Sequence, residues 1–462
     1  MIQLFRVFIP VGALTLLISE IFLIASAFTV AIYIFLPVDP TNYLLYEGGL
    51  INIVLLVVGI LIGLYLQDLY SDLFIESKIA LTAELMYVMG AAFLMQSIVS
   101  YLLGLRMPLR VMVPGCGITV VALFLWRLFF SSYALRVVGR DRLLLVGSSP
   151  LLTEIALHVM KHPDTGLHVI GCVNDSDEKG AQLPEGKVLG HFADLQEVVT
   201  STDPTRVVVG MSERRGKVPV NELLELRFAG HIIEEVASVY ERICGRVSLR
   251  DLRPSQLIYS GELGPMRHSL ASHTLTNLFM AAVGVLFTAP LMVLVALAVR
   301  LTSRGPVLYR QERVGLDGVP FLLYKFRSMH ADAEAETGAV WATKDDPRIT
   351  TVGKIIRKIR FDELPQFFNV LKGEMSIVGP RPERPQFVKD LAEKIPFYRQ
   401  RHCIRPGITG WAQINYKYGD SFEDTKIKLE YDLYYIKNMS FSLDAYIIFH
   451  TLKAMLLSRG AQ

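Results

Sequence analysis

Four apolar runs in the first third of the chain, at about Val7 to Leu36, Leu50 to Leu66, Ile79 to Leu105 and Val111 to Phe130, fix its solvent. Each is close to the ~20 residues that cross a bilayer, where backbone groups are satisfied by helix. Four N-terminal transmembrane helices within residues 1–135 are expected. The first run is longer than a signal-peptide core and lacks a small-residue cleavage site followed by a polar domain, so it reads as a retained span. Hydrophobic residues make up 52% of the chain and mean hydropathy is +0.37, above the soluble norm. Arg6 precedes the first span and Arg136, Arg140 and Arg142 follow the fourth, while the first loop carries Asp39 and Glu47 but no Lys or Arg. That asymmetry puts both ends in the cytoplasm, with Arg106 and Arg110 of the third loop opposing it.

Residues 136–255 change texture. Leu143 to Val146, His168 to Val173, Arg206 to Val209 and His231 to Val236 read as short buried strands, separated by amphipathic stretches such as Leu151 to Met160 and Asn221 to Phe228. This alternation predicts a Rossmann-like cytoplasmic module, so the fold class is a membrane protein of α plus α/β type. Its first strand-to-helix turn is Gly147, Ser148, Ser149, Pro150, not a glycine-rich dinucleotide fingerprint, so packing or regulation is the expected role. A net charge of +3 and the absence of zinc-finger spacing give no case for nucleic acid. The four scattered cysteines suggest neither a disulfide framework nor a zinc site.

Residues 256–462 carry the chemistry. An apolar run from Asn277 to Val299 is interrupted by Pro290, where a break or sharp kink is expected, leaving a crossing and a re-entrant turn equally open. At 100° per residue Ile355, Ile356 and Ile359 share one arc of a helix from Lys354 to Phe361, with Lys354, Arg357, Lys358 and Arg360 opposite, which suits a headgroup boundary. Asp362, Glu363, Leu364, Pro365 and Gln366 follow. Alone, an acidic pair before a proline is ordinary helix capping. It stands among further blocks: Lys325 to Met329, Asp346 to Thr350, Asn369 to Leu371, Gly373 with Met375 and Ser376, Val378 to Glu383, and Arg405 to Gln413.

In content and order these blocks resemble the bacterial sugar transferase family, the monotopic polyprenyl-phosphate phosphoglycosyl transferases, over roughly residues 270 to 460. The resemblance implies a monotopic catalytic domain with a re-entrant membrane helix at about 276–300, usually with serine before the proline, where this chain has Ala289. It implies a multi-pass protein of the bacterial inner membrane, with the catalytic domain on the cytoplasmic face, that transfers hexose 1-phosphate from a UDP-hexose to undecaprenyl phosphate. UMP is released, and lipid-linked exopolysaccharide or O-antigen assembly begins. Asp362 is the expected nucleophile, forming an aspartyl-phosphosugar intermediate, and Glu363 the expected Mg²⁺ ligand. Magnesium needs only one or two carboxylates when phosphate and water complete its shell. Lys325, Arg327, Arg348, Arg381 and Arg313 are the expected phosphate ligands, with Asp432 as support. Trp411 reads as a packing aromatic. The large non-catalytic regions offer surface for a homodimer. The alternatives are a membrane-anchored nucleotide-sugar dehydratase or epimerase, and a non-enzymatic scaffold of polysaccharide assembly. The first lacks its Tyr-x-x-x-Lys pair, since no lysine has a tyrosine four residues before it.

Overall fold

A computed structural model describes residues 2–4, 7–9, 11–70, 75, 77–134, 141–162, 165–174, 188–210, 219–250, 267–330, 348–416 and 421–457. They divide into two compact units, with the boundary in sequence between Val236 and Ala237.

The first unit opens with helices α1 (Val11–Phe35), α2 (Pro40–Tyr46), α3 (Gly49–Leu66), α4 (Lys78–Leu103) and α5 (Leu109–Phe129). Stretches of α1, α3, α4 and α5 are long and apolar enough to cross a membrane. Ile24, Phe28, Leu56, Ile60, Leu85 and Leu123 form their shared core. Phe22, Val54, Tyr87 and Leu125 stay exposed, an apolar exterior that suits lipid. Val7–Ile9 is a strand, so the helix starts four residues later than the apolar run. The short α2 follows from local chemistry: Asp39 accepts from the Thr41 amide and Pro40 opens the helix.

Two polar clusters interrupt this apolar bundle. Glu20 of α1 and Arg127 of α5 pair at 2.7 Å with side chains 0% and 5% exposed. Tyr70 donates to the same carboxylate and Arg127 to the Leu69 carbonyl. Elsewhere Gln96 donates to Asn52 at 2.7 Å and Asn52 to Tyr43 at 3.2 Å. The Glu20–Arg127, Gln96–Asn52 and Asn52–Tyr43 links each join different helices, the arrangement by which polar side chains hold helices together in lipid, while Tyr70 and Leu69 belong to the turn after α3.

The sheet of this unit is parallel, with strands β1 (Asp141–Val146), β2 (Leu167–Val173), β3 (Val188–Gly190), β4 (Arg206–Val209) and β5 (Ile232–Glu235) in the order β3-β2-β1-β4-β5. Leu145 of central β1 faces Cys172 on one side and Val208 on the other. At the first turn the Gly147 and Ser149 amides donate to the carbonyls of Val173 and Gly210, and the Ser149 hydroxyl caps the helix Pro150–Lys161. Those two amides serve the sheet ends, unlike the open amide cradle of a dinucleotide fold.

The second unit is built along α6 (Arg267–Thr302). Its strands are the antiparallel β6 (Leu308–Val314) and β7 (Pro320–Phe326) and the parallel pair β8 (Ser376–Val378) and β9 (Gly407–Thr409). Its further helices include α7 (Thr351–Lys358), α8 (Gln366–Leu371), α9 (Phe422–Asn438) and α10 (Phe441–Leu456). At Pro290, where a break or sharp kink is expected, the helix is uninterrupted: α6 is helical on both sides of it, and the Thr288 hydroxyl donates to the Gly284 carbonyl at 2.7 Å. A proline inside an apolar helix forfeits one backbone bond, which neighbouring hydroxyls and packing offset.

From His273 to Thr302, α6 has two faces. Ala281, Met292, Val295 and Val299 are buried against the domain, and Gly284 lies so close to Phe367 that a Cβ there would meet the ring at 2.9 Å. Leu275, Phe279, Leu286, Val293, Leu297 and Leu301 are exposed. At 100° per residue these sets fall on opposite sides of one helix, in phase before and after Pro290.

α7 differs from expectation. It ends at Lys358, and only Ile356 of the apolar arc is buried, against Met292, Val295 and Phe326. Ile355 is exposed. Thr350 caps the helix by accepting from the Gly353 amide, and a Cβ on Gly353 would lie 1.9 Å from the Ser328 carbonyl oxygen. Gly353→Ala should therefore destabilise the unit by at least about 1–3 kcal/mol. An unchanged unfolding temperature of the purified chain would show that this contact does not set the position of α7.

Candidate active site

The acid pair sits in a single tight turn, Phe361–Glu363, between α7 and α8. Arg360 enters it with φ 56°, a left-handed conformation that costs a non-glycine residue about 1–3 kcal/mol and is sustained by its surroundings. In such a turn side chains three apart share a side. Phe361 and Leu364 accordingly pack on the core formed by Met292, Val295 and Val299 of α6. Asn369, fully buried on α8, accepts from the Tyr324 amide and donates to the Leu322 carbonyl, tying α8 to β7.

That tie brings Lys325, at the end of β7, to the pair. Its Nζ donates to Glu363 Oε1 at 3.0 Å, and Arg381 Nη2 donates to the same oxygen at 3.1 Å. Burial alone would raise the Glu363 carboxyl, but Lys325, Arg381 and Arg360 outweigh it and hold it well below its usual range. Asp362 is 9% exposed. Burial pushes its carboxyl up to about 6, with Lys325, Arg357 and Arg381 pulling against that and the Glu363 charge adding to it. Two adjacent carboxylates thus behave oppositely, one held ionised and one poised near neutrality, a separation of the kind that marks working acid pairs.

The other expected ligands are placed differently. Arg313 lies behind the Arg381 turn: Nη1 donates to the Pro382 carbonyl at 3.0 Å, while Nε and Nη2 grip Gln311 Oε1. Burial lowers its guanidinium to about 10, still charged at neutral pH. Arg327 is buried and donates to the carbonyls of Ser303 and Arg304, so it caps the C-terminal end of α6. Carbonyls left open at a helix end are what a buried guanidinium satisfies best. Arg348 is half-buried in a turn whose carbonyl accepts from the His330 amide. Trp411 stacks on Tyr434 and donates to the Gly245 carbonyl, a packing role.

One contributor carries no motif. Arg401, 7% exposed, pairs with Asp432 at 2.8 Å, donates to Tyr398, and sends Nη2 to the Arg381 carbonyl at 3.0 Å. Arg401 and Arg313 thus hold consecutive carbonyls of the turn that presents Arg381. Asp432 supports the site through Arg401. The basic residues near the pair also divide: Arg357 and Arg360 act on the carboxylates, while Lys354 and Lys358 face solvent.

Among the described residues no group of three or more His, Cys, Asp or Glu would hold a metal ion. Asp362 and Glu363 are hard oxygen donors, and a pair of carboxylates fits Mg²⁺ when substrate phosphate and water supply the remaining ligands.

Helices long and apolar enough to cross a membrane, together with a buried acid pair ringed by cations, are consistent with a membrane protein. The bacterial sugar transferase family model matches residues 268–458, the segment from α6 to the end of α10. The UDP-glucose:undecaprenyl-phosphate glucose-1-phosphate transferase of Xanthomonas campestris pv. campestris is 31% identical over 356 residues, covering 73% of this chain and 71% of that one. The chain belongs to the bacterial sugar transferase family. The UDP-N-acetylgalactosamine-undecaprenyl-phosphate N-acetylgalactosaminephosphotransferase of Aeromonas hydrophila is 44% identical over 230 residues, 50% of this chain. The chain spans about half of that relative's length, 53%. The UDP-glucose:undecaprenyl-phosphate glucose-1-phosphate transferase of Escherichia coli (strain K12) is 43% identical over 187 residues, 40% of each chain.

Proposed function

We propose that this protein transfers a hexose 1-phosphate from a UDP-sugar to undecaprenyl phosphate, releasing UMP, as the first step of a lipid-linked polysaccharide. The observation that carries this reading is the acid pair with Lys325 and Arg381 on one Glu363 oxygen, in a chain of this family. An oxygen of Asp362 attacks the sugar-bearing phosphorus and the bond to the UMP oxygen breaks, leaving the phosphosugar on the carboxylate. An oxygen of undecaprenyl phosphate then attacks the same phosphorus and the carboxylate leaves. Both substrates are anionic, so positioning by cations is the main requirement. Lys325 and Arg381 are placed to steady the phosphoryl oxygens, and Arg357 offsets the Asp362 charge. Glu363, ionised, would hold Mg²⁺, whose chemistry there is neutralisation of phosphate charge.

With a radiolabelled UDP-sugar and no lipid acceptor, label should stay on the protein and UMP should exchange into UDP-sugar. Absence of both would sink the covalent route.

The catalytic unit is proposed to dip into the bilayer from the cytoplasmic side. In support, one face of α6 is packed on the domain from Ala281 to Val299 and the other is an apolar stripe. The 36 residues of α6 span about 54 Å at helical rise, against roughly 30 Å of hydrocarbon. A perpendicular crossing would draw charged α7 into that layer, at a high desolvation cost. Single cysteines replacing Lys161 and Lys394, both exposed, should react with an impermeant reagent from the same, cytoplasmic side. Labelling from opposite sides would mean that α6 crosses.

A further inference from the structure

The catalytic unit holds a cavity of about 190 Å³ where α6 begins, lined among others by Thr274, Leu278, Leu371, Met375, Ser376 and Arg405. The dyad turn precedes α8, whereas this cavity lies at its far end, past Leu371. Among the described residues no acidic side chain lines it. Arg405 donates Nε to the Gly373 carbonyl at 2.9 Å and Nη1 to the Thr274 hydroxyl at 2.9 Å. These two bonds orient the planar guanidinium and, among the described residues, leave three of its five N–H groups without a partner. The Ser376 hydroxyl likewise has none there. At the rim, Lys372 is held over the Tyr324 ring and donates to its hydroxyl at 2.7 Å, adding a fixed positive charge. The nearest carboxylate in sequence, Glu374, is turned to Asn369, which donates to it at 2.7 Å.

A fork of open guanidinium donors with a hydroxyl beside it is chemistry for a phosphate. Part of the wall is nevertheless hydrocarbon, from Leu278, Val370, Leu371 and Met375. Leu371 is 39% exposed, and Leu275, next to Thr274, is 70% exposed on the apolar stripe of α6. A free hydrated anion gains nothing from such a wall, but the ester arms of a lipid do. We propose that this cavity binds the phosphate of a phospholipid headgroup and anchors the start of α6 at the bilayer surface. The bilayer placement above is used only to favour lipid over free phosphate, and the chemistry at Asp362 is not involved.

The test uses the full chain, purified in neutral detergent, titrated with phosphatidylglycerol and read by native mass spectrometry. Arg405→Gln removes the donors. Leu278→Trp fills the cavity while leaving the Arg405 bonds in place, so one variant remains informative if the other loses its fold. Each should retain phosphatidylglycerol roughly tenfold more weakly than wild type, the scale of a charge-assisted hydrogen bond. Millimolar inorganic phosphate should not displace the lipid. Equal retention by wild type and a folded variant overturns the proposal. Displacement by inorganic phosphate overturns the lipid assignment and makes the cavity a site for free anions.

Discussion

Asp362→Asn should reduce sugar-phosphate transfer by at least about 10³-fold while leaving the protein folded, because an amide matches the carboxylate in shape but cannot form the phosphoryl ester. The fold should tolerate it. Asp362 is buried beside Glu363, and burial together with that neighbouring charge makes its own ionisation unfavourable. UMP release and the unfolding temperature, measured together, decide the matter, and full residual activity excludes Asp362 as nucleophile. The same residue sets a pH dependence. Its carboxyl is raised to about 6, so it is mostly neutral below that pH and ionised above it. Since attack needs the ionised form, the rate should fall about tenfold per pH unit below 6 and level off above it. Glu363 adds no inflection in that window, because its partners keep it ionised throughout. A profile flat from pH 5 to 8 would contradict this assignment.

Arg401→Leu should be nearly as damaging by a different route. It leaves Asp432 buried with no cation at 2.8 Å, and loss of one member of such a pair costs about 3–5 kcal/mol. It also releases the Arg381 carbonyl from its donor. Arg401→Leu combined with Asp432→Leu separates the two effects. Stability should largely return, since an apolar pair of similar size replaces a buried ion pair at little cost. Activity should not, because nothing then restrains Arg381 from that side. Recovery of both would reduce Arg401 to a packing element, whereas a folded double variant with a raised KM for UDP-sugar would show that it positions Arg381.

Periodicity made the elements legible. Apolar runs of membrane length became α1, α3, α4 and α5, and four of the five strands of the middle sheet fall within a residue or two of the apolar stretches that announced them, while the three-residue β3, Val188–Gly190, is too short to stand out. These signals are local. The acid pair was equally legible, since an Asp-Glu pair before a proline stands out wherever it folds. What sequence could not reveal was which cations reach it. Lys325, Arg327, Arg313 and Arg381 look alike as letters, but only Lys325 and Arg381 are within hydrogen-bonding distance of Glu363. Arg327 is drawn to the end of α6 and Arg313 to the Pro382 carbonyl, choices made by backbone groups from distant segments. Arg401 left no trace because its partners, Asp432 and the Arg381 carbonyl, are 31 and 20 residues away. At Pro290, where propensity predicts a break or sharp kink, the helix continues through the proline with packing on both sides of it.

The Glu20–Arg127 pair constrains how this protein is made. The two residues are 107 positions apart, on the first and last helices of the bundle. A carboxylate on α1 therefore enters the membrane long before its guanidinium has been synthesised, and an unpaired charge at the bilayer centre costs about 2.5–3.5 kcal/mol. Until α5 emerges, α1 must remain in the translocon, stay near the interface, or carry Glu20 protonated. Chains truncated after α4 should accordingly be poorly retained in the membrane, as measured by fractionation against the full chain.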